Sequence, residues 1–429
     1  MLFANIGVLD ERFDYHENWF VAVEGERIAY VGAEKPEGDF GEIYDGTGKV
    51  LLPAFVNAHS HSAMTLMRGY GENLALSDWL NTRIFPFEAK VDGEAIYNGA
   101  MLAAAEMLRF GIVSTTDMYF DAMATRRVVE ESGIKMNLSV AAVCFDDSDY
   151  RDLPMYRELA EVLPACHGAF DGRMRMDAGL HAEYTTTEKV VRGAAEAAKE
   201  LGLNMHLHLS ETKDEHEACK TRHGGRTPAK YFYENGVFDV PTTAAHCVWV
   251  EEEDMDIFRE KGVTVACNPV SNLKLASGFC PAKALLDKGV NVALGTDSVA
   301  SNNSLNIMEE VKLFATLFKA STGDPTAVTP KQALYAATRA GALSQGRTDC
   351  GLVKEGFRAD LVVMDVNHPY MRPCHDMVNN LVFSTQGTDV CLTMADGKVL
   401  YRNGLWTTID VERTAALAEE SVKKILSQL

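Results

Sequence analysis

The sequence lacks the long apolar run, roughly 20 residues, that a membrane-spanning helix needs. It also lacks a basic segment followed by an apolar one near Met1, so we expect no secretory signal peptide. Its nine cysteines are scattered, with no Cys-x-x-Cys pair and no regular spacing. This pattern favours reduced, mostly buried thiols in the cytoplasm over disulfides or a cysteine-bound zinc.

Positive charge is also scarce in this chain of 429 residues, which carries 41 lysines and arginines against 61 acidic residues, a formal net charge of −20. Nucleic acids and anionic membranes bind basic surfaces, so the imbalance argues against both as partners. The composition, 47% hydrophobic and 24% charged, is typical of a soluble globular protein. We therefore expect a small-molecule substrate, bound by a chain long enough for a large barrel plus a smaller domain.

The middle of the chain alternates strand-like apolar runs with amphipathic helical segments. The predicted strands are Val50–Val56, Ile112–Thr116, Lys135–Val143, Met174–Leu180, Asn204–Leu209, Thr243–Ala245, Val263–Ala266 and Val290–Gly295. The clearest helical segments are Gly99–Phe110, Thr187–Leu201 and Pro281–Lys288. Eight such alternations over about 300 residues predict an α/β fold with a parallel (β/α)8 TIM barrel, although an open doubly wound sheet gives a similar pattern.

Both ends of the chain are instead rich in short strands and turns. Trp19–Val23 and Ile28–Val31 flank a glycine-containing turn, and Asp396-Gly397 is a typical hairpin turn between two strand-like runs. The segment Val411–Leu429 carries apolar residues on one helical face, which predicts a terminal helix.

Metal-binding side chains follow the predicted barrel strands. His59 and His61 are two residues apart on a strand, so they face the same side. His208 and Asp297 also stand at or just beyond strand ends, where barrel enzymes carry their active sites. Three imidazoles and one carboxylate would hold a divalent metal and leave one position open for water. An open position is typical of a catalytic metal, so the sequence predicts a hydrolase.

Neighbouring residues admit both functional and structural interpretations. His206 is predicted to lie in the barrel interior. Glu211, if it lies beside a metal in a closed pocket, would suit proton transfer. His246 follows a short strand, where it would bind a metal or orient a metal-bound water. Asp297 could cap the following helix, but its apolar approach favours a ligand that is also a general base. For His181, substrate contact is only slightly favoured over a structural role.

The segments around these residues resemble the amidohydrolase superfamily, and within it the branch of S-adenosylhomocysteine and 5′-methylthioadenosine deaminases, which also contains the triazine hydrolases. The matching segments are Pro-Ala-Phe-Val-Asn-Ala-His-Ser-His (53–61), Leu-Ser-Asp-Trp-Leu (76–80), Phe-Pro-Phe-Glu (85–88), Thr-Thr-Asp-Met-Tyr (115–119), His-Leu-His-Leu-Ser-Glu-Thr (206–212), Ala-Ala-His-Cys-Val (244–248), Asn-Pro-Val-Ser-Asn-Leu-Lys-Leu (268–275) and Leu-Gly-Thr-Asp-Ser-Val-Ala-Ser-Asn-Asn (294–303). They span nearly the whole chain.

This resemblance implies a (β/α)8 barrel enzyme with one divalent metal, zinc in most members and iron(II) as the alternative. The implied metal ligands are His59, His61, His208 and Asp297. The implied catalytic residues are Glu211, His246 and Asp297. The two chain ends are expected to form one small β-sandwich, from residues 1–52 and 356–429 around a barrel at 53–355, and the branch suggests a homo-oligomer.

The resemblance also implies substrate contacts from Trp79, from Glu88 toward ribose hydroxyls, and from His181. Structurally, Trp79 could be a core residue and Glu88 a solvated acid at a helix start. Family members that bind the carboxylate of homocysteine use an arginine ahead of the position of His181. The stretch 146–151 departs from that pattern, and Arg151 is the candidate there.

We therefore expect hydrolytic deamination of the adenine ring of a nucleoside such as S-adenosylhomocysteine, 5′-methylthioadenosine or adenosine, with release of ammonia. In this reaction His246 and Asp297 orient the attacking hydroxide, Glu211 protonates the ring nitrogen beside C6, and Asp297 passes a proton to the leaving amino group. The alternatives with the same ligand set are a deaminase of guanine or another base and a triazine hydrolase. A non-catalytic binding protein that kept the barrel is disfavoured, because every ligand and Glu211 are present.

Overall fold

The computed structural model describes residues 1–429 and contains seventeen strands and eighteen α-helices. The strands are β1 (Leu2–Leu9), β2 (Tyr15–Glu24), β3 (Arg27–Gly32), β4 (Ile43–Asp45), β5 (Lys49–Pro53), β6 (Phe55–Ser60), β7 (Ile112–Met118), β8 (Lys135–Ala142), β9 (Met174–Leu180), β10 (Met205–Leu209), β11 (Thr242–His246), β12 (Thr264–Cys267), β13 (Asn291–Leu294), β14 (Leu361–Asp365), β15 (Val390–Ala395), β16 (Lys398–Arg402) and β17 (Leu405–Trp406). The helices are α1 (Leu76–Trp79), α2 (Phe85–Glu88), α3 (Gly93–Arg109), α4 (Ala122–Ser132), α5 (Pro154–Cys166), α6 (Ala169–Gly172), α7 (Glu188–Leu201), α8 (Lys213–Arg222), α9 (Pro228–Glu234), α10 (Glu252–Lys261), α11 (Pro269–Lys274), α12 (Ala282–Asp287), α13 (Val299–Asn302), α14 (Ile307–Thr322), α15 (Pro330–Ala337), α16 (Arg339–Ser344), α17 (Met377–Phe383) and α18 (Val411–Leu426).

Strands β6 to β13 form one parallel sheet in which each strand pairs with the next in the chain. The first and last strands meet where the Asp297 N–H donates to the His59 carbonyl at 3.0 Å, beside a bridge between Ser60 and Asp297. This contact brings the two edges together, so the predicted barrel is confirmed over the open doubly wound sheet. The strands are short and buried on both faces, as parallel barrel strands are.

The apolar run Val50–Val56, predicted as one strand, is two strands in different sheets. β5 pairs with β1 and β14 in the small sheet, whereas β6 starts the barrel. The chain passes from one to the other at Ala54, whose N–H donates to the Asp360 carbonyl at 3.0 Å. Both strands are buried, so hydrophobicity alone gives no signal at the crossing.

The remaining nine strands form one mixed sheet in the order β17-β16-β15-β14-β5-β1-β2-β3, with β4 beside β1. Since β14 pairs with β5, the sheet joins the two ends of the chain. Residues from both ends, including Phe3, Val21, Leu361 and Leu392, share a separate apolar core. The predicted small β-domain built from both ends is thus confirmed, while the division at residues 52/53 and 355/356 stays a prediction.

The predicted helices are present with shifted ends. The segment predicted from Gly99 belongs to α3, which begins earlier because the Asp92 side chain accepts from the Ala95 N–H at 2.9 Å and caps it. Thr187 is the cap of α7 rather than its first residue, and the predicted Pro281–Lys288 segment is the shorter α12. The terminal helix α18 ends at Leu426.

A buried ion pair connects the barrel to the small sheet. Lys135, the first residue of β8, places its Nζ 2.5 Å from Asp360 Oδ2 and 2.8 Å from Asp396 Oδ1. All three side chains are almost fully buried. Because removal of one partner from such a group leaves an uncompensated charge, this contact ties the two sheets together strongly.

The nine cysteines are free, and seven of them are buried, as the sequence predicts. None of the helices is both long and apolar enough to span a membrane.

Candidate active site and metal centre

The barrel brings the four predicted metal ligands and His246 to one end. His59 lies near the end of β6, His208 in β10 and His246 at the end of β11. His61 follows β6 directly, and Asp297 lies three residues beyond the last residue of β13. The parallel order of the strands places all of these at the carboxyl ends, where barrel sites form.

The imidazole nitrogens and one carboxylate oxygen converge on a common point. Asp297 Oδ1 lies 3.3 Å from the Nε2 atoms of both His59 and His61. The Nε2 of His208 lies 3.4 Å from that of His61. The donor atoms of His59, His61 and His208 lie within 4.8 Å of one another, as do those of His59, His246 and Asp297. These separations suit ligands around one small cation.

Each of the three predicted histidine ligands is oriented through its other ring nitrogen. The Nδ1 of His61 lies 2.7 Å from the Met118 carbonyl, and that of His208 lies 2.7 Å from the His181 carbonyl. The Nδ1 of His59 lies 3.0 Å from His206 Nε2. These contacts turn all three Nε2 atoms toward the common point, as is usual for metal-binding histidines.

The fourth donor, Asp297, is held in the same manner. Its Oδ2 accepts hydrogen bonds from Ser271 Oγ at 2.6 Å and Ser301 Oγ at 2.9 Å, which leaves Oδ1 facing the imidazoles. Burial would raise the pKa of Asp297, but the nearby imidazoles of His59 and His61 hold that pKa well below its usual value. The carboxylate is therefore ionised and available as a ligand.

A divalent cation fits this donor set. His59 Nε2 is fully buried and has no hydrogen-bond partner within the protein, which is costly unless another group satisfies it. Three imidazole nitrogens and one carboxylate oxygen are the ligand types that zinc and similar divalent ions accept. The chain thus carries a site for a divalent metal.

Several residues here adopt an uncommon backbone conformation. His246 and Asp297 have φ values of 72° and 60°, in the left-handed region that non-glycine residues rarely enter. Ser210, which precedes Glu211, has a φ of 47°. Such strain clusters at functional sites, because it aims a side chain that regular structure would direct elsewhere.

Glu211 and His246, the residues predicted to handle protons, lie side by side next to the donors. His246 Nε2 lies 3.7 Å from Glu211 Oε2, and its Nδ1 lies 2.9 Å from Asn272 Oδ1. Glu211 Oε1 accepts a hydrogen bond from Ser277 Oγ at 3.3 Å. Burial raises the pKa of Glu211, so this carboxyl retains a proton more readily than an exposed one.

The loop that carries Glu211 is held by Glu215, which the sequence analysis does not assign. The Glu215 carboxylate accepts from the backbone N–H groups of Ser210 at 3.0 Å and Glu211 at 2.7 Å. Together with Thr212 it forms the cap of α8. The pattern Thr-x-x-Glu at 212–215 is the signal that could have identified this role.

One cavity of about 360 Å³ opens from the metal donors toward solvent and is lined by 23 residues, 14 of them hydrophobic. The predicted substrate-contact residues Trp79, Glu88 and His181 line it together with Glu211 and His246. Trp79 and Glu88 come from α1 and α2, which flank a π-helical turn at Leu80–Ile84. The structure thus brings three of the four predicted substrate residues into the cavity.

Arg151 is not brought to the site. It lies in a short turn at Tyr150–Asp152, is half exposed, and places its guanidinium 2.6 Å from Glu200 on the surface. The stretch 146–151 therefore supplies no arginine to the cavity, and we do not propose Arg151 as a substrate residue.

Other supporting residues lie in segments that resemble the amidohydrolases but for which the motifs predict no role. Asn272 and Ser271 belong to 268–275, and Ser301 to 294–303. His206 is buried, as predicted, and also fixes the His59 ring. These supporting residues share one sequence signal, a polar residue near the end of an apolar strand. The residues that they contact could not be predicted, because those contacts depend on the tertiary fold.

The barrel and its nitrogen and oxygen donors define a hydrolase of the metal-dependent barrel class. Residues 50–400 match the family described as the amidohydrolase family, and the chain belongs to it. The resemblance predicted from the motifs is thereby confirmed.

Two curated relatives match nearly end to end. A 5-methylthioadenosine/S-adenosylhomocysteine deaminase of Thermoanaerobacter pseudethanolicus is 37% identical, with 100% of both chains covered. A 5′-deoxyadenosine deaminase of Methanosarcina acetivorans is 38% identical over 96% of this chain and 94% of its own. Among solved structures, an adenosine deaminase from Xanthomonas campestris with bound zinc superposes with a TM-score of 0.93 at 29% identity, covering 99% of this chain and 98% of the other.

Proposed function

We propose that the protein is a zinc-dependent deaminase that hydrolyses the C6 amino group of adenine nucleosides. The observation that carries the proposal is the position of Glu211 and His246 beside the four donors, at the floor of one cavity. Its volume suits a small ligand. The names of the full-length relatives, all of them deaminases of adenine nucleosides, support the choice of ring.

The four proposed ligands are His59, His61, His208 and Asp297. A divalent cation held there supplies Lewis-acid activation of a water molecule. Zinc suits three imidazoles and one carboxylate in a site that keeps a position open, with iron(II) as the alternative.

Three side chains handle the protons. Glu211 donates its proton to the ring nitrogen beside C6 and takes one of the two protons of the water that adds at C6, so it ends the step protonated again. His246, whose Nδ1 is engaged by Asn272, directs Nε2 to the cavity and orients the attacking oxygen. Asp297 takes the remaining proton from that oxygen and passes it to the amino group, so that the C6–N bond breaks and ammonia leaves. The product is the hypoxanthine analogue.

The cavity residues bind the nucleoside. Trp79 packs against the bound ring, and His181, whose ring centroid lies 4.9 Å from that of His208, contacts the ring beside the donors. Glu88 accepts hydrogen bonds from ribose hydroxyls; burial raises its pKa to about 7, which marks it as a carboxyl withdrawn from solvent. A cytoplasmic location and a homo-oligomeric state remain predictions.

The test is ammonia release from 5′-methylthioadenosine, S-adenosylhomocysteine and adenosine with zinc-loaded protein, with chelator-treated protein as the control. We expect turnover of at least one nucleoside, abolished by the chelator and restored by zinc. Activity on guanine or a chlorotriazine, with none on the three nucleosides, would replace this proposal by one of the alternatives. Retention of metal without activity on any ring would favour a binding protein.

A further inference from the structure

The outer part of the cavity is aromatic and carries no positive charge. Phe85, Phe120 and Phe145 line it and expose 44%, 43% and 78% of their surface, so they form its mouth. None of the 23 lining residues is a lysine or an arginine. Three lining residues are acidic: Glu211 and Asp297, which are buried beside the metal donors, and Glu88.

The chemistry of the substrate fixes which end of it meets these rings. The reacting C6 must approach the donors at the floor, and in adenine C6 lies on the opposite side of the ring from the ribose-bearing N9. The ribose, and beyond it the 5′ substituent, therefore extends toward the mouth. The 5′ group is therefore the part of the nucleoside nearest to the mouth, where Phe85, Phe120 and Phe145 lie.

Two lysines near segments that line the cavity are paired with acidic residues. Lys189 lies 3.3 Å from Asp149 in the acidic stretch that follows Phe145. Lys274, which precedes the lining residue Leu275, lies 2.9 Å from Glu72. The zwitterionic end of an amino-acid 5′ chain would thus meet apolar rings, and none of the lining residues offers a lysine or arginine to pair with its carboxylate.

We propose that the site selects adenine nucleosides with a small, uncharged 5′ substituent, such as a methylthio group or a methyl group, over those whose 5′ chain ends in an amino acid, and that Phe120 and Phe145 determine this preference. The inference rests on the proposed function. An apolar substituent loses contact with water against the rings, whereas a carboxylate there loses hydration without gaining a hydrogen-bonded cation. Because Phe145 is largely exposed, part of the tail stays solvated, so we expect a preference of about 10- to 100-fold.

The experiment compares kcat/KM for 5′-methylthioadenosine, 5′-deoxyadenosine, adenosine and S-adenosylhomocysteine in the zinc-loaded wild type and in Phe145→Arg. The new guanidinium should raise kcat/KM for S-adenosylhomocysteine about tenfold, mainly through KM, and lower that for 5′-methylthioadenosine. Phe145→Leu controls for loss of the ring. Ile43→Arg, at a 61% exposed position in the small sheet, controls for the added charge.

Equal kcat/KM for S-adenosylhomocysteine and 5′-methylthioadenosine in the wild type would overturn the inference and leave the proposed function intact. The inference would also be overturned if Phe145→Arg left the ratio of kcat/KM for S-adenosylhomocysteine to that for 5′-methylthioadenosine unchanged. The same holds if Ile43→Arg changed that ratio as much as Phe145→Arg does. No activity on any of the four nucleosides would instead refute the proposed function, and the inference with it. If Phe145→Arg does not fold, Phe120→Arg serves as the second variant, and the wild-type ratio decides independently.

Discussion

Replacing Glu211 by glutamine should remove a proton donor from the cavity floor while changing little else. Glutamine has the same shape, and its side-chain oxygen can still accept the hydrogen bond that Ser277 donates to Glu211 Oε1 at 3.3 Å. The backbone at this position is held separately by Glu215, which accepts the Glu211 N–H at 2.7 Å. The variant therefore tests proton transfer rather than the position of the loop.

The expected loss is large. General acid–base steps contribute about 10² to 10⁴ in rate, so kcat should fall by that factor, equivalent to about 2.7 to 5.4 kcal/mol in the activation barrier. KM should change little, because the substrate contacts proposed for Trp79 and Glu88 are untouched. Metal content should also stay the same, since Glu211 is not one of the four donors. Ammonia release and elemental analysis of the dialysed protein measure the two quantities.

Ser277→Ala is the matched control. It removes one neutral hydrogen bond to the same carboxyl, worth about 0.5 to 1.5 kcal/mol, so its rate should stay within about tenfold of the wild type. The reasoning would be refuted by a Glu211→Gln variant that retains activity within tenfold, or by one that loses metal along with activity, which would make Glu211 a ligand.

Three further perturbations test the metal site, the ion pair and a buried acid. His208→Ala should abolish stoichiometric zinc binding and the rise in Tm on zinc addition, whereas the exposed His375→Ala should keep both. Lys135→Met leaves the buried Asp360 carboxylate without its cation, whereas Asp396 keeps Arg358 at 3.1 Å, so urea unfolding should show a loss of about 3 to 5 kcal/mol; a loss below 1 kcal/mol would contradict the account. Burial raises the pKa of Asp177 from 3.8 to about 6. The contribution of Asp177 to stability is therefore complete below pH 3.8 and is lost as pH rises through 6. Asp177→Asn should accordingly raise Tm at pH 8 and have no such advantage near pH 4. A Tm difference independent of pH would refute that assignment.

The strand ends could be predicted from the sequence because each functional residue follows a short apolar run, and the parallel order of such runs brings their ends together. His59, His208 and Asp297 could be predicted as site residues in this way. Asn272 and Glu215 are not, since a polar side chain in a loop shows its partner only after distant segments have packed. The crossing at Ala54 is hidden for a different reason: both flanking strands are fully buried, so the pattern of hydrophobicity does not change between the two sheets.

Arg151 shows the limit of motif matching. A single arginine in an acidic stretch has the right charge for a substrate carboxylate, but only the fold shows that its guanidinium pairs with Glu200 on the surface. The charge of a residue and its position in the chain do not show where its side chain points in the fold.

The crossing at Ala54 also affects how the protein responds to damage. One residue separates β5, at the centre of the small sheet, from β6, which carries His59. Lys135 adds an ionic tie between the same two parts. Shortening the chain at either terminus would therefore do more than trim a peripheral domain: it would withdraw a flank of β5 and loosen the strand that presents the first two histidines. Heat or proteolysis at the chain ends should inactivate the enzyme and release its metal in the same event.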